Sequence, residues 1–222
     1  MLPAFTTNIS DLMPYILPRA PTVPLPYAEF QTRLAVIEFC ERTRCWRQII
    51  ETNVSAQGTA ILCPRNATIH EFEEATLNGI DLTPVQFTDV QPDELTGERE
   101  VGQARYITQV SPGTVSVYPK QQGKLRVSCF LKPVHGQSIG VFDDDPLADE
   151  YNVLPSFMVA QYAKALADGA LFNIMSTNKQ DFTDLDMAAM HKAAFDQACN
   201  SHFSANLRGQ QRAPLRTRPR FM

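Results

Sequence analysis

The sequence predicts an α+β protein in which helices and strands are segregated along the chain. Apolar residues recur with helical spacing over 26–45 and again after residue 153, whereas 46–134 holds short β-type runs separated by turn residues. The predicted fold is a helical bundle from one N-terminal and two C-terminal helices, with an inserted antiparallel β module and an extended C-terminal tail. The predicted regions are 1–45 (N-terminal strap and first bundle helix), 46–134 (inserted antiparallel β module), 135–208 (connector and C-terminal helical hairpin) and 209–222 (extended basic tail).

The first region begins with six prolines in residues 1–26, which predict an extended strap with one helical turn near 10–16, capped by Ser10 or Asp11. The helix over 26–45 carries two apolar stripes. The first contains Tyr27, Phe30, Leu34 and Ile37, and the second contains Ala28, Ala35 and Phe39. Two stripes predict contacts on two sides, either with the helix's own core alone or also with a neighbouring subunit.

The β module is predicted from its turns. Asn78-Gly79 is a strong hairpin signal between two β-type runs, and Ser111-Pro112-Gly113 separates two more. Residues 86–103 are polar and predict an exposed loop. The acidic run Asp143-Asp144-Asp145 belongs to the connector at 135–152 and lacks the glycine and distal glutamate of a calcium loop.

Two further helices are predicted over 153–175 and 185–207. The first is almost uncharged and rich in alanine, which favours burial on most sides. Thr183-x-x-Asp186 resembles a capping box for the second helix, and Gly209 is a plausible stop. The residues expected to pack within the bundle or against a neighbouring subunit are Phe30, Leu34, Ile37, Phe39, Trp46, Tyr162, Leu166, Ala170, Ile174 and Phe195.

Charge is distributed unevenly along the chain. Residues 1–202 carry 15 basic and 24 acidic side chains, a balance of −9, whereas 203–222 carry five arginines and no acid. The basic residues of the tail are Arg208, Arg212, Arg216, Arg218 and Arg220, with Leu215 and Phe221 as apolar members. Such a tail fits a docking strap for the acidic groove of a partner, a nucleic-acid tail, or a solubilising terminus.

Recognised catalytic and cofactor-binding patterns are absent from the sequence, which predicts no enzyme activity, no cofactor and no metal. His191 and His202 are about 16 Å apart along one helix, so one ion cannot bridge them, even with Cys199 nearby. Cys40 and Cys45 lack the CxxC spacing and are predicted to be small apolar fillers. The five cysteines without a secretory signal predict reduced thiols, and no apolar run is long enough for a membrane span.

Five motifs resemble those of the head-to-tail adaptors of tailed bacteriophages, also called connector or neck proteins, and they occur in the same order. They are Ile37-Glu38-Phe39-Cys40-Glu41-Arg42-Thr43 with Trp46-Arg47, the preceding Leu12–Pro18, Asp168-Gly169-Ala170-Leu171, the spacing of Ala188, His191 and Phe195, and Arg212–Arg220. The β region matches only in rhythm, so none of its contacts is carried over.

The resemblance implies a virion structural protein of the neck between capsid and tail, assembled in the host cytoplasm. Such adaptors form a homo-oligomeric ring, often of twelve copies, beneath the portal protein. The ring extends the channel through which genomic DNA passes without sequence-specific binding, and it presents the attachment surface for tail, tail-tube or nozzle proteins. Under this resemblance the arginine tail becomes a strap that docks on the portal or on a neighbouring subunit.

Three alternatives stay open. The chain could be another neck or tail-terminator ring protein, which would lack portal binding. It could be a DNA-binding protein that acts through the arginine tail, which requires strongly salt-dependent affinity. It could also be a small hydrolase that uses Cys63 or a histidine, which requires a thiol with a perturbed pKa.

Overall fold

The computed structural model describes residues 5–63, 67–87, 102–111, 113–134 and 153–207. These residues form a mixed α+β protein with four α-helices and a large, nearly closed β-sheet. One compact unit contains the described residues of 5–45 and 153–207, and a second contains those of 46–134. The predicted loop at 86–103, the acidic connector and the tail lie largely or wholly outside the described residues.

The helices are α1 (Met13–Ile16), α2 (Leu25–Thr43), α3 (Ser156–Met175) and α4 (Leu185–Leu207). The strands are β1 (Thr6–Asn8), β2 (Arg47–Val54), β3 (Thr59–Ile61), β4 (Ala67–Leu77), β5 (Ile80–Pro84), β6 (Tyr106–Ser111), β7 (Thr114–Tyr118), β8 (Gly123–Pro133) and β9 (Val153–Pro155).

The N-terminal segment forms a strand, short helical elements and turns, and not one extended strap with a single helical turn. Strand β1 pairs with β9 in an antiparallel two-stranded sheet, which the sequence did not predict. A 3₁₀ turn over Ile9–Leu12 follows, and its cap is Asn8, whose side chain accepts from the Ser10 amide at 3.0 Å. Turns occupy 17–24, where Ala20 and Val23 are buried. The predicted strap is therefore wrong over 17–24, because these two apolar side chains gain more from burial than from an extended chain in water.

Helices α2, α3 and α4 pack against one another within the helical unit. The helices approach one another closely at Gly169 on α3, where an added Cβ would lie 2.8 Å from the Phe195 ring and 3.0 Å from the Cβ of Ala35. Glycine is therefore required by space at this position, since a methyl group would force the three helices apart.

The start of α4 differs in detail from the predicted capping box. Asp184 is the capping residue, and its Oδ1 accepts from the Met187 amide at 3.0 Å. The Thr183 hydroxyl instead accepts from the Gln180 amide at 2.9 Å and donates to the Thr177 carbonyl oxygen. Thr183 thus stabilises the turn between α3 and α4, and the neighbouring aspartate caps the helix.

The β unit is a seven-stranded sheet in the order β2-β8-β4-β5-β6-β7-β3. Its end strands are consecutive in the chain, and the Ser55 amide donates to the Thr59 carbonyl oxygen at 2.9 Å across their turn, so the sheet nearly closes on itself. The pairs are antiparallel except β5–β6, which is parallel. The prediction of a purely antiparallel module is therefore wrong at this pair. The hairpins β4–β5 and β6–β7 lie side by side in the sheet, and their neighbouring strands β5 and β6 run in the same direction.

The predicted hairpin at Asn78-Gly79 is confirmed. Both residues have positive φ, 52° and 83°, as a two-residue primed turn requires. The Asn78 side chain also accepts from the Lys124 amide at 2.8 Å, which ties the turn to β8. Along β8, Leu125, Val127, Cys129 and Leu131 are fully buried on the inner face of the sheet.

Candidate functional site

The buried stripe of α2 is the second of the two stripes seen in the sequence. Phe39 is fully buried, with its ring centroid 5.1 Å from Tyr162 and 6.2 Å from Phe195. His202 joins the same aromatic cluster, 4.8 Å from Tyr162. The cluster connects α2, α3 and α4 through contacts between aromatic rings.

The first stripe of α2 is less buried. Ile37 is buried, but Phe30 and Leu34 are half-buried. Tyr27 lies at the same side, where its hydroxyl is 2.7 Å from that of Thr177. This stripe thus keeps apolar area that the unit's own core does not cover.

The packing residues predicted on α3 are all buried: Tyr162, Leu166, Ala170 and Ile174. Trp46 is buried too, but it belongs to the β unit, where its carbonyl oxygen accepts from the Leu131 amide at 2.8 Å. Its assignment to the bundle is therefore corrected, because the chain has left α2 and entered the sheet one residue before Arg47.

Two ionisable residues meet inside the helical unit. His191 on α4 and Asp168 on α3 are both more than nine-tenths buried, and the His191 Nδ1–H donates to Asp168 Oδ1 at 2.8 Å. Arg19 approaches the same oxygen at 3.5 Å with half of its side chain exposed. Among the described residues His191 Nε2 has no hydrogen-bond partner. The pair joins two helices, and Asp168 also lines the groove between α3 and α4 that is described below.

The outward face of α4 carries little charge. From Asp186 to Ser204 the charged side chains are Asp186, exposed in the first turn, Lys192, which lies 5.2 Å over the Phe172 ring, and Asp196, which pairs with Arg42. Leu185, Met187 and Met190 are exposed large apolar residues at the start of this helix. We call the following exposed residues the α4 face: Met187, Met190, Ala193, Ala194, Gln197, Asn200, Ser201 and Ser204.

A shallow groove borders the α4 face. It has a volume of about 360 Å³ and lies between α3 and α4, with Gln161, Lys164, Gln197 and Ser201 among its lining residues. Three alanines, two rings and the carboxylate of Asp168 also line it, so its walls are mixed apolar and polar. Such a mixed surface is typical of contacts with polypeptide.

The outward face of the β unit carries charge in pairs across the strands. Arg47 on β2 bonds Glu73 on β4 through Nε at 2.7 Å, and Ser128 on β8 donates to the same carboxylate. Lys124 bonds Glu51 at 2.7 Å, and this hydrogen bond lowers the pKa of the Glu51 carboxyl. Exposed pairs of this kind are typical of a solvated sheet face.

The cysteines of the described residues are all free thiols. Burial raises the pKa of Cys63 to about 12, and burial raises the pKa of Cys129 to about 11. A nucleophilic thiol needs the opposite shift, so the geometry gives the hydrolase alternative no support. Sequence reasoning missed one relation: the sulfur atoms of Cys40 and Cys45 lie 4.0 Å apart.

Metal ligands and membrane spans were also sought in the described ranges. No group of three or more His, Cys, Asp or Glu side chains there has an arrangement that could hold a metal ion. Of the histidines considered, His191 is bonded to Asp168, and His202 packs among aromatic rings. No helix in the described ranges has the length and apolar character that crossing a bilayer demands.

The predicted docking residues of the tail, from Arg208 to Phe221, lie outside the described residues. No protein-family model matches the chain. No curated protein matches it at a significant level. The candidate site of this protein is therefore the α4 face with its groove, defined by geometry and charge alone.

Proposed function

We propose that the chain is a virion structural protein, a head-to-tail adaptor that forms a ring beneath the portal of a tailed bacteriophage. The observation that carries the proposal is the α4 face. A helix face exposed to water normally carries many charged side chains, whereas the exposed charges from Asp186 to Ser204 are Asp186 and Lys192, beside two methionines, alanines and uncharged polar residues. Interface centres are depleted of charge and enriched in methionine, so the two methionines and the low charge are the features of the α4 face that fit a subunit contact.

The proposal also specifies how each subunit is built and how neighbouring subunits meet. Helices α2, α3 and α4 would form the bundle of each subunit, and the half-buried stripe with Phe30 and Leu34 would meet the α4 face of the next copy. A ring requires two different patches on each subunit, because a head-to-tail contact repeats only when unlike surfaces meet. These two apolar surfaces lie on different helices, as such a contact demands.

The charge distribution of the chain supports both the proposed DNA channel and the proposed docking tail. A body with a balance of −9 suits a channel through which DNA must slide, since a basic lining would hold the phosphates. The arginines of the tail offer bidentate donors to carboxylates on a portal or on a neighbouring subunit. The tail would thus attach the ring to the portal, and the α4 face would join neighbouring subunits into the ring.

Native mass spectrometry of the full chain, alone and with the portal protein of the parent particle, tests this function. We expect a closed ring, with twelve copies as the leading stoichiometry, bound to the portal. Truncation after Arg208 should weaken portal binding and leave the melting temperature of the chain nearly unchanged.

Other outcomes would replace the proposal. A ring that binds tail-tube protein and ignores the portal would identify a terminator. A monomer whose DNA affinity falls steeply with salt, and collapses on truncation, would identify a DNA-binding protein. Normal assembly of the truncated chain on portals would refute the strap.

A further inference from the structure

The last turn of α2 brings two thiols together. Arg44 follows the helix in the left-handed region, with φ 53°, and its amide donates to the Cys40 carbonyl oxygen at 2.9 Å. In this kind of helix ending, the residue after the left-handed one turns back toward the residue five positions earlier. Here those two residues are Cys45 and Cys40, and their sulfur atoms lie 4.0 Å apart, in hydrogen-bonding contact.

The two thiols differ in access. Cys40 is fully buried against the helical core, whereas Cys45 is half-buried. The hydrogen bond with the Cys40 sulfur lowers the pKa of Cys45, with burial opposing this effect and Thr43 assisting it. Burial raises the pKa of Cys40 well above its ordinary value. Cys45, the more accessible thiol, is thus the better nucleophile, and the Cys40 sulfur lies in contact with it.

We propose that Cys40 and Cys45 form a reversible dithiol–disulfide pair, a modification site oxidised by peroxide. The Cys45 thiolate attacks one oxygen of hydrogen peroxide, the O–O bond breaks, and the products are Cys45 sulfenic acid and hydroxide, which takes up a proton to become water. Cys40 sulfur then attacks the Cys45 sulfur, the S–O bond breaks, and its oxygen leaves as a second water after taking the thiol proton. Two thiols and one peroxide give one disulfide and two waters.

The disulfide would close the end of α2. It would join the last turn of the helix to the residue at which the chain leaves the helical unit, since the β unit begins at Trp46. The left-handed Arg44 would be held inside the closed loop, so fraying of this helix end would be suppressed. The inference concerns the helix end alone, and it stands whether or not the chain forms a ring.

Peptide mapping of the full chain provides the test. Trypsin cuts after Arg33, Arg42, Arg44 and Arg47, so the reduced protein releases Cys40 in peptide 34–42 and Cys45 in peptide 45–47. After hydrogen peroxide treatment and capping of the remaining thiols, we expect these two peptides linked, with a loss of two of the five thiols. Dithiothreitol should restore both thiols. Oxidation should also raise the melting temperature of the chain.

Single substitutions assign the roles. In Cys40→Ser the Cys45 sulfenic acid has no partner, so a dimedone adduct should accumulate on Cys45. In Cys45→Ser no adduct should form on Cys40. Cys199→Ser is the control, because burial raises the pKa of Cys199 to about 11 and its loss should leave the linked peptide unchanged.

The rates give a second criterion. The Cys45 thiol should react at least about tenfold faster than Cys199 or Cys129, because each unit of pKa changes the thiolate fraction about tenfold. Faster oxidation of either of those thiols, a dimedone adduct on Cys40, or disulfide-linked dimers in place of the linked peptide would overturn the proposal.

Discussion

The α4 face and the outward face of the β unit are both exposed, but they differ in charge. The sheet face pairs Arg47 with Glu73 and Lys124 with Glu51 across its strands. The α4 face shows two methionines, two alanines and four uncharged polar residues. Charged pairs cost a great deal to desolvate and lose little when they stay in water. Another chain can therefore cover the α4 face at a lower desolvation cost than the outward face of the β unit, whose charged pairs favour contact with solvent.

The interior of the helical unit sets the largest expected effect. Leu166→Asp places a carboxylate at a fully buried position on α3, and we expect it to lower the free energy of unfolding by more than about 4 kcal/mol. Gln161→Asp on an exposed position of the same helix is the matched control and should change stability by less than about 0.5 kcal/mol. Urea denaturation followed by circular dichroism measures both. Equal stability of the two variants would contradict the burial of Leu166.

The close contact at Gly169 gives the next effect. Gly169→Ala gains helix propensity but puts a methyl group 2.8 Å from the Phe195 ring, so we expect a net loss of about 1–2 kcal/mol. Phe195→Leu in the same chain should relieve part of that loss, which a double-mutant cycle measures. Strict additivity of the two substitutions would contradict the proposed contact.

The comparison of faces is tested most directly by one added charge on each. Met190→Asp on the α4 face should reduce self-association at least about tenfold, because a carboxylate must be desolvated in the interface. Met190 is 65% exposed, so the stability of the monomer should change by less than about 0.5 kcal/mol. Sedimentation velocity and thermal melting record the two quantities.

Asn53→Asp is the control for that experiment. Asn53 is exposed on β2 directly opposite Lys124, so it adds the same charge to a face that already carries charged pairs. Self-association should not change. If both variants assembled like the unmodified chain, the α4 face would not be a subunit contact, and the proposed ring would lose its main support.

The smallest effect is expected on the sheet. The pKa of Glu51 is lowered in the folded chain by its bond to Lys124, so its contribution to stability is present above the ordinary carboxyl pKa and disappears as pH falls through the lowered value. Glu51→Gln should therefore lower the melting temperature by about 1 °C or less at pH 7, and the difference should vanish in acid. A difference that grew in acid would mean that another group is responsible.

The elements of regular structure could be predicted from the sequence where a strong local signal exists. The helix at 185–207 has the predicted bounds, and Asn78-Gly79 forms the predicted turn, because positive φ at two successive residues suits Asn and Gly. The capping residue of α4 was missed by one position. Thr183 and Asp184 both have capping chemistry, and only the path of the preceding turn selects between them.

The candidate site was predicted only in part. Alanine and methionine at helical spacing read equally well as core or as contact surface, so the exposure of the α4 face could not be derived from its composition. The contact of Cys40 with Cys45 was also hidden, because sequence spacing does not reveal that Arg44 adopts a left-handed conformation. The buried pair of Asp168 and His191 joins residues 23 positions apart that share no motif.

Local patterns in the sequence indicated the segregation of helices from strands, the approximate bounds of the long elements and the opposite charge of body and tail, since each depends on neighbours within a few residues. The helix predicted over 153–175 begins only at Ser156, because Val153–Pro155 pairs with β1 as a strand. Packing in the folded chain decided which stripe of α2 is buried, that β5 and β6 run parallel, and which side of α4 faces outward. These properties depend on which distant elements compete for the same apolar surface. Packing of the whole unit determines which element covers that surface, and this cannot be derived from residues close together in the sequence.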